Sequence, residues 1–293
     1  MSDPNESFPA ATPHPLVDAK KLMVVPGVFD VLSAKVADAV GFPSAVLTGY
    51  GVSAAHLGEP DFGILTQTQV LDVARRVVAA TELGLIVDGD TGYGGPVNVQ
   101  HMVRELVAMG ARGIILEDQR WPKRCGHMRG KAVIDAEEHV AKIEAAVEAR
   151  GDRAFFITAR TDALETHGID EAIRRAKLYK EAGATVLFVE GPRSLEDLRR
   201  IGSELPPPLA LNLIEGGLTP MPSLEEVVDL GFFSVGFVLS GLYAATKALF
   251  DTYTAIRESG STEGVRDRMT EFEAFNRFIG AEKRYEEDER FKR

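Results

Sequence analysis

The chain has 293 residues, 45% hydrophobic and 26% charged, which are the proportions of a globular protein rather than a disordered or collagen-like one. Its formal charge of −11 argues against a nucleic-acid partner, because such a partner needs a concentrated basic surface. A single cysteine excludes a disulfide framework and a thiolate metal site.

The N-terminus is expected to form a flexible arm rather than an export signal. Residues 1–15 hold four prolines, and the first six residues carry acidic and helix-breaking side chains where a signal would be basic and then apolar. No uninterrupted run of about 18 apolar residues is present to span a bilayer. We therefore expect a cytoplasmic protein with no membrane partner, a barrel domain over 16–260, and a C-terminal helical extension with a charged tail over 261–293.

Short apolar runs alternate with longer segments of helical spacing between about residues 22 and 240, which predicts repeated βα units. The runs are almost continuously apolar, as in parallel strands buried on both faces. Because there are eight, they predict an α/β fold of the (β/α)8 TIM-barrel type. The predicted strands are Leu22–Val25, Ala45–Leu47, Leu85–Val87, Gly113–Leu116, Phe155–Thr158, Val186–Val189, Leu209–Leu211 and Phe233–Leu239.

Helical spacing fills the segments between and after these strands. The predicted helices are Gln69–Ala80, Val97–Met109, Ala136–Ala149, Ile169–Ala182, Leu195–Leu205, Leu224–Leu230, Leu242–Arg257 and Met269–Ile279. Four glycines near helix ends, Gly84, Gly110, Gly183 and Gly231, are predicted to be left-handed C-caps. The mostly charged residues from Gly280 onward are predicted to form a solvated tail.

Polar residues follow the apolar runs, at the strand ends from which catalytic side chains project in TIM barrels. Any one of them alone is better explained as a helix cap than as a catalytic residue. The set is Thr48, Gly49, Tyr50, Asp88, Asp90, Glu117, Asp118, Arg160, Asp162, Glu190, Asn212 and Ser240.

Four carboxylates are expected to converge at this end of the barrel. Asp88, Asp90 and Glu117 follow neighbouring strands, and Asp61 lies in the long loop after the second strand. Without matching lysines these groups would repel one another unless a cation lies between them. Oxygen ligands favour Mg²⁺, with Mn²⁺ as an alternative, over zinc. The competing interpretation is a set of separately capped carboxylates.

An anionic substrate is predicted from the donors at the same strand ends. Arg160 offers a bidentate fork for a carboxylate, and Asn212 can donate to an oxyanion. The backbone N–H groups around Gly49 could bind carboxylate or phosphate oxygens, although an ordinary tight turn is the better explanation of that glycine.

A loop of about eighteen residues joins the fourth strand to its helix and is long enough to be a lid. It contains Cys125, flanked by Lys123, Arg124 and His127. Nearby positive charge lowers a thiol pKa, so Cys125 is predicted to be poised for acid/base chemistry. The alternative is an inert buried thiol, but its charged neighbours would be costly to bury. His127 is predicted to bind substrate beside it.

The motifs, in this order along nearly the whole chain, resemble those of the isocitrate lyase and phosphoenolpyruvate mutase superfamily. The resemblance rests on Thr48-Gly49-Tyr50-Gly51, Pro60-Asp61-Phe62-Gly63, Asp88-Gly89-Asp90-Thr91-Gly92-Tyr93-Gly94, Glu117-Asp118-Gln119, Lys123-Arg124-Cys125-Gly126-His127, Ala159-Arg160-Thr161-Asp162-Ala163 and Asn212 through Gly217.

The resemblance implies a modified TIM barrel with a helix-swapped eighth helix, in which helix 242–257 is exchanged between subunits of a homotetramer. It implies Mg²⁺ at Asp88, with help from Asp61, Asp90 and Glu117, under a mobile lid that carries Cys125. Substrate oxygens would then meet Thr48, Gly49, Tyr50, Gly126, His127, Arg160, Glu190 and Asn212.

The implied activity is Mg²⁺-dependent carbon–carbon bond cleavage of a small di- or tricarboxylate, with Cys125, Arg160 and Glu117 as catalytic residues. A 2-alkylmalate would give an α-keto acid and a carboxylic acid, with Cys125 protonating the departing carbanion; oxaloacetate would give oxalate and acetate. Tyr243 stands where related 2-methylisocitrate lyases carry arginine, which favours dicarboxylates. Val46 and Ile115 likewise replace a frequent tyrosine and a frequent histidine.

Three alternatives remain. The first is 2-methylisocitrate lyase activity, which yields pyruvate and succinate, and the second is a carboxyphosphonoenolpyruvate phosphonomutase, which shares the Cys-Gly-His motif. The third is a barrel kept as a structural or regulatory subunit. That last alternative predicts a degraded site, whereas Asp88, Glu117, Arg160 and Asn212 are all present.

Overall fold

The computed structural model describes residues 10–292, so most of the predicted N-terminal arm lies outside the described residues. The described chain divides into two compact units. One comprises Pro13–Asp38 and Phe42–Leu242, and the other comprises residues 10–12, 39–41 and 243–292. Within residues 10–292, no helix is both long enough and apolar enough to cross a bilayer.

Eight parallel strands close into a barrel in chain order, with the last strand paired to the first, which confirms the predicted barrel. The strands are β1 Met23–Val28, β2 Ser44–Leu47, β3 Gly84–Asp88, β4 Gly113–Glu117, β5 Phe156–Thr161, β6 Val186–Val189, β7 Leu209–Leu213 and β8 Ser234–Phe237. Strand β8 is shorter than predicted because its pairing with both neighbours ends at Phe237.

Helices follow the strands around the barrel. They are α1 Pro15–Asp18, α2 Val31–Val40, α3 Gly49–Val52, α4 Gln67–Ala80, α5 Pro96–Met109, α6 Ala136–Arg150, α7 Ala163–His167, α8 Ile169–Glu181, α9 Leu195–Glu204 and α10 Leu224–Asp229. The sequence patterns do not single out α2. Its start is fixed locally, since the Ser33 N–H donates to Asp30 Oδ1 at 2.7 Å and the Asp30 N–H donates to Ser33 Oγ at 3.1 Å.

Three of the four predicted glycine caps adopt positive φ: Gly110 at 92°, Gly183 at 98° and Gly231 at 87°. The prediction for Gly84 is wrong, because α4 ends at Ala80 and Gly84 begins strand β3. A Cβ at Gly84 would lie 2.9 Å from Ser44 Oγ on the neighbouring strand, so glycine there allows close packing.

The C-terminal segment contains α11 Ser240–Ser259, a 3-10 turn over Glu263–Arg268, α12 Phe272–Ile279 and α13 Ala281–Phe291. The expected solvated tail is therefore a helix. Its charged residues recur at helical spacing and pair along the surface, as Arg284 Nη1 does with Glu287 Oε2 at 2.6 Å.

Side chains alternate along the strands between two apolar layers. Ile114 and Leu116 of β4 belong to the layer between strands and helices, whereas Ile115 packs with Val46 and Ile86 inside the barrel. The position two residues after Ile115 faces inward as well, and there the residue is Glu117. The alternation therefore places polar side chains at the carboxyl end of an otherwise apolar barrel interior.

Candidate active site

A cavity opens at the carboxyl ends of the strands. Nine predicted site residues line it, namely Thr48, Tyr50, Asp61, Asp88, Cys125, Gly126, Arg160, Glu190 and Asn212. The remaining lining is apolar and consists of Val46, Ile115, Phe188, Ile214, Val238 and Leu239. The other four predicted residues, Gly49, Asp90, Glu117 and His127, contact this set, as described below. The structure thus brings every predicted site residue to one mouth of the barrel.

The backbone after β2 is held by local hydrogen bonds. Thr48 Oγ1 accepts from the Gly51 N–H at 2.8 Å and so caps α3, and the Gly49 N–H donates to Asp88 Oδ2 at 3.1 Å. These two N–H groups are therefore already bonded, whereas the sequence led us to expect them open to substrate oxygens. The bond from the Gly49 N–H holds the Asp88 carboxylate in place at the rim.

A buried lysine lies inside the carboxylate cluster. Lys123 Nζ is 2.6 Å from Asp61 Oδ1 and 2.6 Å from Asp90 Oδ1, and all three side chains are at most 6% exposed. The expectation that these carboxylates lack a matching lysine is therefore wrong, because the long loop folds back over the mouth. Burial nevertheless raises the pKa of Asp90 to about 6, and the Tyr93 hydroxyl donates to Asp90 Oδ2 at 2.6 Å.

The donor set fits a hard divalent cation in its chemistry. Glu117 Oε1 is buried with no hydrogen-bond partner, and burial raises the pKa of Glu117 well above its usual value, so this carboxylate lacks sufficient positive charge around it. Every candidate ligand is a carboxylate oxygen, as Mg²⁺ prefers. Among the described residues, however, no three His, Cys, Asp or Glu side chains form a ready metal site, and Lys123 is a competing charge.

Arg160 is held rigidly by carboxylates. Its Nε and Nη2 donate to Asp162 Oδ2 and Oδ1 at 2.9 and 3.1 Å, and its Nη1 lies 3.2 Å from Glu117 Oε2. The bidentate fork predicted to face a substrate carboxylate is thus taken by Asp162. Burial alone would raise the pKa of Asp162, but Arg160 and Lys131 hold it at about 2, so Asp162 remains ionised.

A fully buried carboxylate behind the strands orients Asp162. Asp118 Oδ1 accepts from the Asp162 N–H at 2.9 Å, while its Oδ2 accepts from Thr161 Oγ1 at 2.8 Å and from the Tyr179 hydroxyl at 2.7 Å. Sequence reasoning missed this supporting role of Asp118. The available signal was its place directly after Glu117, where strand alternation turns it away from the barrel interior.

Residues 118–135, hereafter the lid loop, connect β4 to α6 and form a closed hairpin rather than a loose segment. At its base the Arg120 N–H donates to the Ala132 carbonyl at 2.7 Å and the Ile134 N–H donates to the Asp118 carbonyl at 2.9 Å. Further out, the Gln119 amide oxygen accepts from the Arg124 N–H at 2.9 Å. These bonds fix the path of the chain that carries Cys125.

Cys125 is buried against the barrel mouth, and its N–H donates to the Asp61 carbonyl at 3.2 Å. Burial raises its pKa to about 12. The prediction of a lowered thiol pKa is wrong, because the neighbouring cations turn elsewhere: Lys123 pairs with Asp61 and Asp90, and Arg124 stacks 4.2 Å from the centre of the Phe62 ring. The group is therefore a protonated thiol at neutral pH, suited to give a proton.

His127 and Gly126 also hold the lid loop against the barrel mouth. His127 Nδ1 accepts from the Leu218 N–H at 2.8 Å, which leaves the proton on Nε2, 3.0 Å from Glu190 Oε1. A Cβ at Gly126 would lie 2.3 Å from Glu190 Cγ and 2.4 Å from Arg160 Nη2, so only glycine allows this approach. The lid loop is thus docked on Arg160 and Glu190 in this structure.

Two further strand-end residues take different roles. Asn212 lines the cavity beside Phe188, and a Cβ at Gly236 would lie 2.7 Å from Asn212 Oδ1, so the next strand leaves room for its amide. The Ser240 hydroxyl is instead already hydrogen-bonded at the rim, where it donates to Glu215 Oε1 at 2.5 Å.

Comparison with known proteins gives consistent matches. The profile of the family described as phosphoenolpyruvate phosphomutase matches residues 14–257. The petal death protein of Dianthus caryophyllus is 49% identical over 282 residues, which cover 96% of this chain and 89% of that protein. The 2,3-dimethylmalate lyase of Eubacterium barkeri is 44% identical over 274 residues, which cover 94% of this chain and 95% of that protein. A solved structure of oxaloacetate acetylhydrolase with the inhibitor 3,3-difluorooxalacetate matches with a TM-score of 0.86 at 37% identity, covering 94% of this chain and 93% of that one.

Proposed function

The chain belongs to the phosphoenolpyruvate mutase/isocitrate lyase superfamily of enzymes, and from this premise we propose that it is a carbon–carbon lyase acting on 2-hydroxy dicarboxylates such as 2-alkylmalates. The products would be an α-keto acid and a carboxylic acid. Oxaloacetate hydrolysis to oxalate and acetate at the same site is the second candidate, favoured by the structural match to an oxaloacetate acetylhydrolase.

One observation carries the proposal: a buried thiol, a fixed guanidinium and a rim carboxylate line the same cavity. Cys125, Arg160 and Asp88 all line it. The pKa of Cys125, raised to about 12 by burial, keeps its proton in place until a carbanion develops nearby.

The rim residues are proposed to bind the substrate and the metal. Asp88, Asp61, Asp90 and Glu117 would hold Mg²⁺, with Mn²⁺ as an alternative. A bound cation supplies Lewis-acid polarisation of the substrate's hydroxyl and carboxylate oxygens. Arg160, whose fork Asp162 takes, would supply positive charge, and the Asn212 amide would donate to a substrate oxygen; the docked lid loop would exclude water from both.

Cleavage requires that one proton leaves the substrate hydroxyl and another reaches carbon. As the O–H bond breaks, the hydroxyl oxygen forms the new carbonyl, and the electron pair of the C2–C3 bond moves onto the departing fragment as an enolate. Glu117, whose pKa burial raises, is our candidate to take the hydroxyl proton. Cys125 then gives its thiol proton to the enolate carbon; afterwards Glu117 releases its proton to solvent, and solvent returns a proton to the thiolate.

The apolar part of the cavity supports an alkylated dicarboxylate. Val46, Ile115 and Phe188 face the charged rim and offer no donor to a third carboxylate. An alkyl substituent on the substrate would pack there and lose contact with water, at about 0.8 kcal/mol for each buried methylene. This favours 2-alkylmalates over tricarboxylates such as 2-methylisocitrate.

We also propose a homotetramer in which α11 is exchanged between subunits. This rests on apolar side chains left on the surface of the C-terminal helices: Phe250 is 71% exposed, Tyr253 is 64% exposed and Phe272 is 81% exposed. Large apolar side chains exposed together on a surface mark a site of protein–protein contact. Light scattering after size exclusion tests the proposal, and a monomer at micromolar concentration would contradict it.

The decisive experiment offers the purified protein oxaloacetate, 2-methylisocitrate, 2,3-dimethylmalate and 2-ethyl-3-methylmalate, each with and without Mg²⁺. We expect α-keto acid release from the dimethyl and ethyl-methyl malates with Mg²⁺, and oxalate release from oxaloacetate if the second activity is present. Preferred turnover of 2-methylisocitrate would support the tricarboxylate alternative. Absence of any product with all four compounds would contradict both candidates.

A further inference from the structure

Lys131 is a buried lysine of the lid loop that the proposed mechanism does not use. Its side chain is 1% exposed, and its ammonium has three acceptors. It donates to the Gly126 carbonyl, lies 3.0 Å from Asp162 Oδ1 and lies 3.1 Å from Glu165 Oε2. The buried ammonium therefore lies among one carbonyl oxygen and two carboxylate oxygens.

These contacts form a closed ring of four residues. Asp162 Oδ1, which meets Lys131, also accepts from Arg160 Nη2 at 3.1 Å. Gly126, whose carbonyl Lys131 holds, packs so closely on Arg160 that a Cβ would lie 2.4 Å from Nη2. The ring therefore runs from Lys131 to Gly126, to Arg160, to Asp162 and back to Lys131.

We propose that Lys131 is a positioning residue that couples docking of the Cys125–Gly126–His127 turn to the orientation of Arg160. The coupling arises because one ammonium fixes both the backbone of the turn and the carboxylate that holds the guanidinium. Without it, the buried Gly126 carbonyl loses its charged donor and Asp162 loses one of its two cations, so the docked arrangement loses stability relative to the open one.

Two residues of the lid loop make the inference testable: Cys125 reports lid opening, and Arg129 is a matched control position. Cys125 is the only cysteine, so any thiol reagent reports how often the lid loop opens, independently of catalysis. Arg129 is an exposed cation two positions earlier in the same loop. Substitution of either residue by methionine removes one positive charge from the loop, but only Lys131→Met breaks the ring.

The experiment compares wild type, Lys131→Met, Lys131→Arg and Arg129→Met in reaction with 5,5′-dithiobis(2-nitrobenzoate), after circular dichroism has shown that each protein is folded. We expect the thiol of Lys131→Met to react at least about tenfold faster than wild type, because local opening exposes it. Lys131→Arg keeps the charge and should restore most of the protection. Arg129→Met should react like wild type.

A purely structural role would lower the melting temperature without this pattern. Wild-type thiol reactivity in folded Lys131→Met, or equal acceleration in Arg129→Met, would overturn the inference. Should Lys131→Met fail to fold, Lys131→Gln takes its place, because a neutral amide leaves Asp162 without this cation, and a wild-type thiol rate in that folded variant would overturn the inference as well.

The inference rests on the proposed function in that Arg160 and Cys125 are taken as the binding and proton-donating groups. On an accepted substrate, Lys131→Met should lower kcat by a larger factor than it raises KM, because the proton donor is misplaced more than the substrate is released. If wild type releases no product from any substrate but the four proteins show the expected thiol reactivities, the proposed function is contradicted and the coupling by Lys131 is still supported.

Discussion

The ammonium nitrogen of Lys123 lies 2.6 Å from Oδ1 of Asp90, within the carboxylate cluster for which the sequence alone predicts a metal ion. The same nitrogen contacts Asp61 at 2.6 Å. The lid loop thus places the Lys123 ammonium at the position where Mg²⁺ is proposed to bind. Lys123 and Mg²⁺ should therefore compete for the Asp90 carboxylate.

Lys123→Met tests this competition. Removal of the ammonium leaves two buried carboxylates unpaired, and we expect the free energy of unfolding without Mg²⁺ to fall by about 3–5 kcal/mol. Addition of Mg²⁺ should raise the melting temperature of the variant more than that of wild type, because the vacated carboxylates are free to bind it. Lys177→Met, at an exposed lysine, is the control. A larger Mg²⁺ effect on wild type would contradict the competition.

Cys125→Ser should separate catalysis from folding. A serine hydroxyl fills the same space but is a much weaker acid than the thiol, and loss of a general acid costs about 10²–10⁴ in turnover. We expect kcat for α-keto acid release to fall by that factor while the melting temperature changes by only a few degrees. A variant that keeps the wild-type kcat would show that the proton comes from another group.

Gly126→Ala should prevent the lid loop from docking. The added Cβ would meet Glu190 Cγ at 2.3 Å and Arg160 Nη2 at 2.4 Å, which is closer than carbon can approach either atom. We expect kcat/KM to fall by about a hundredfold or more, since closure assembles the site. Gly264→Ala is the matched control, because a Cβ there meets nothing within 4 Å. Equal activity of the two variants would mean that the docked arrangement is not the active one.

His139→Phe should change the acid stability of the protein. His139 is fully buried, with Tyr179 edge-on at 4.6 Å, and burial together with Lys142 and Arg175 lowers its pKa from 6.5 to about 3. Above pH 6.5 neither the folded nor the unfolded state protonates it. As the pH falls from 6.5 towards 3, only the unfolded state takes up the proton, so the free energy of unfolding falls by up to about 1.4 kcal/mol per pH unit.

The phenylalanine variant lacks that proton uptake and should lose less stability than wild type over the same range. Urea unfolding at pH 7, 6, 5 and 4 measures the difference between the two proteins. His101→Phe, at an exposed histidine, should follow wild type. Parallel curves for wild type and His139→Phe would show that the imidazole accepts a proton in the folded state.

The barrel and the gathering of its polar residues could be predicted from the sequence because both follow from local patterns. Eight apolar runs define parallel strands, and parallel strands place all their carboxyl ends at one mouth. Asp88, Glu117 and Arg160 were therefore predictable as neighbours, and register does pair Glu117 with Arg160.

The partners of those residues could not be predicted in the same way. The sequence predicts that Lys123 lowers the pKa of Cys125, yet Lys123 pairs with Asp61 and Asp90, and burial raises the pKa of the thiol instead. Arg160 was expected to present its fork to a substrate, yet Asp162 takes it. Each error concerns where a long side chain points, which depends on packing rather than on spacing along the chain.

The sequence by itself determined the strand count, the barrel and the identity of the groups at its mouth, because periodicity and chain direction are local properties. Only the tertiary structure decided the charge balance and protonation of the site. An eighteen-residue lid loop folds back and carries two buried ammonium groups, those of Lys123 and Lys131, onto carboxylates of the barrel. Electrostatic interactions act through space and strengthen with burial, so their outcome is fixed by three-dimensional neighbours that the order of residues does not reveal.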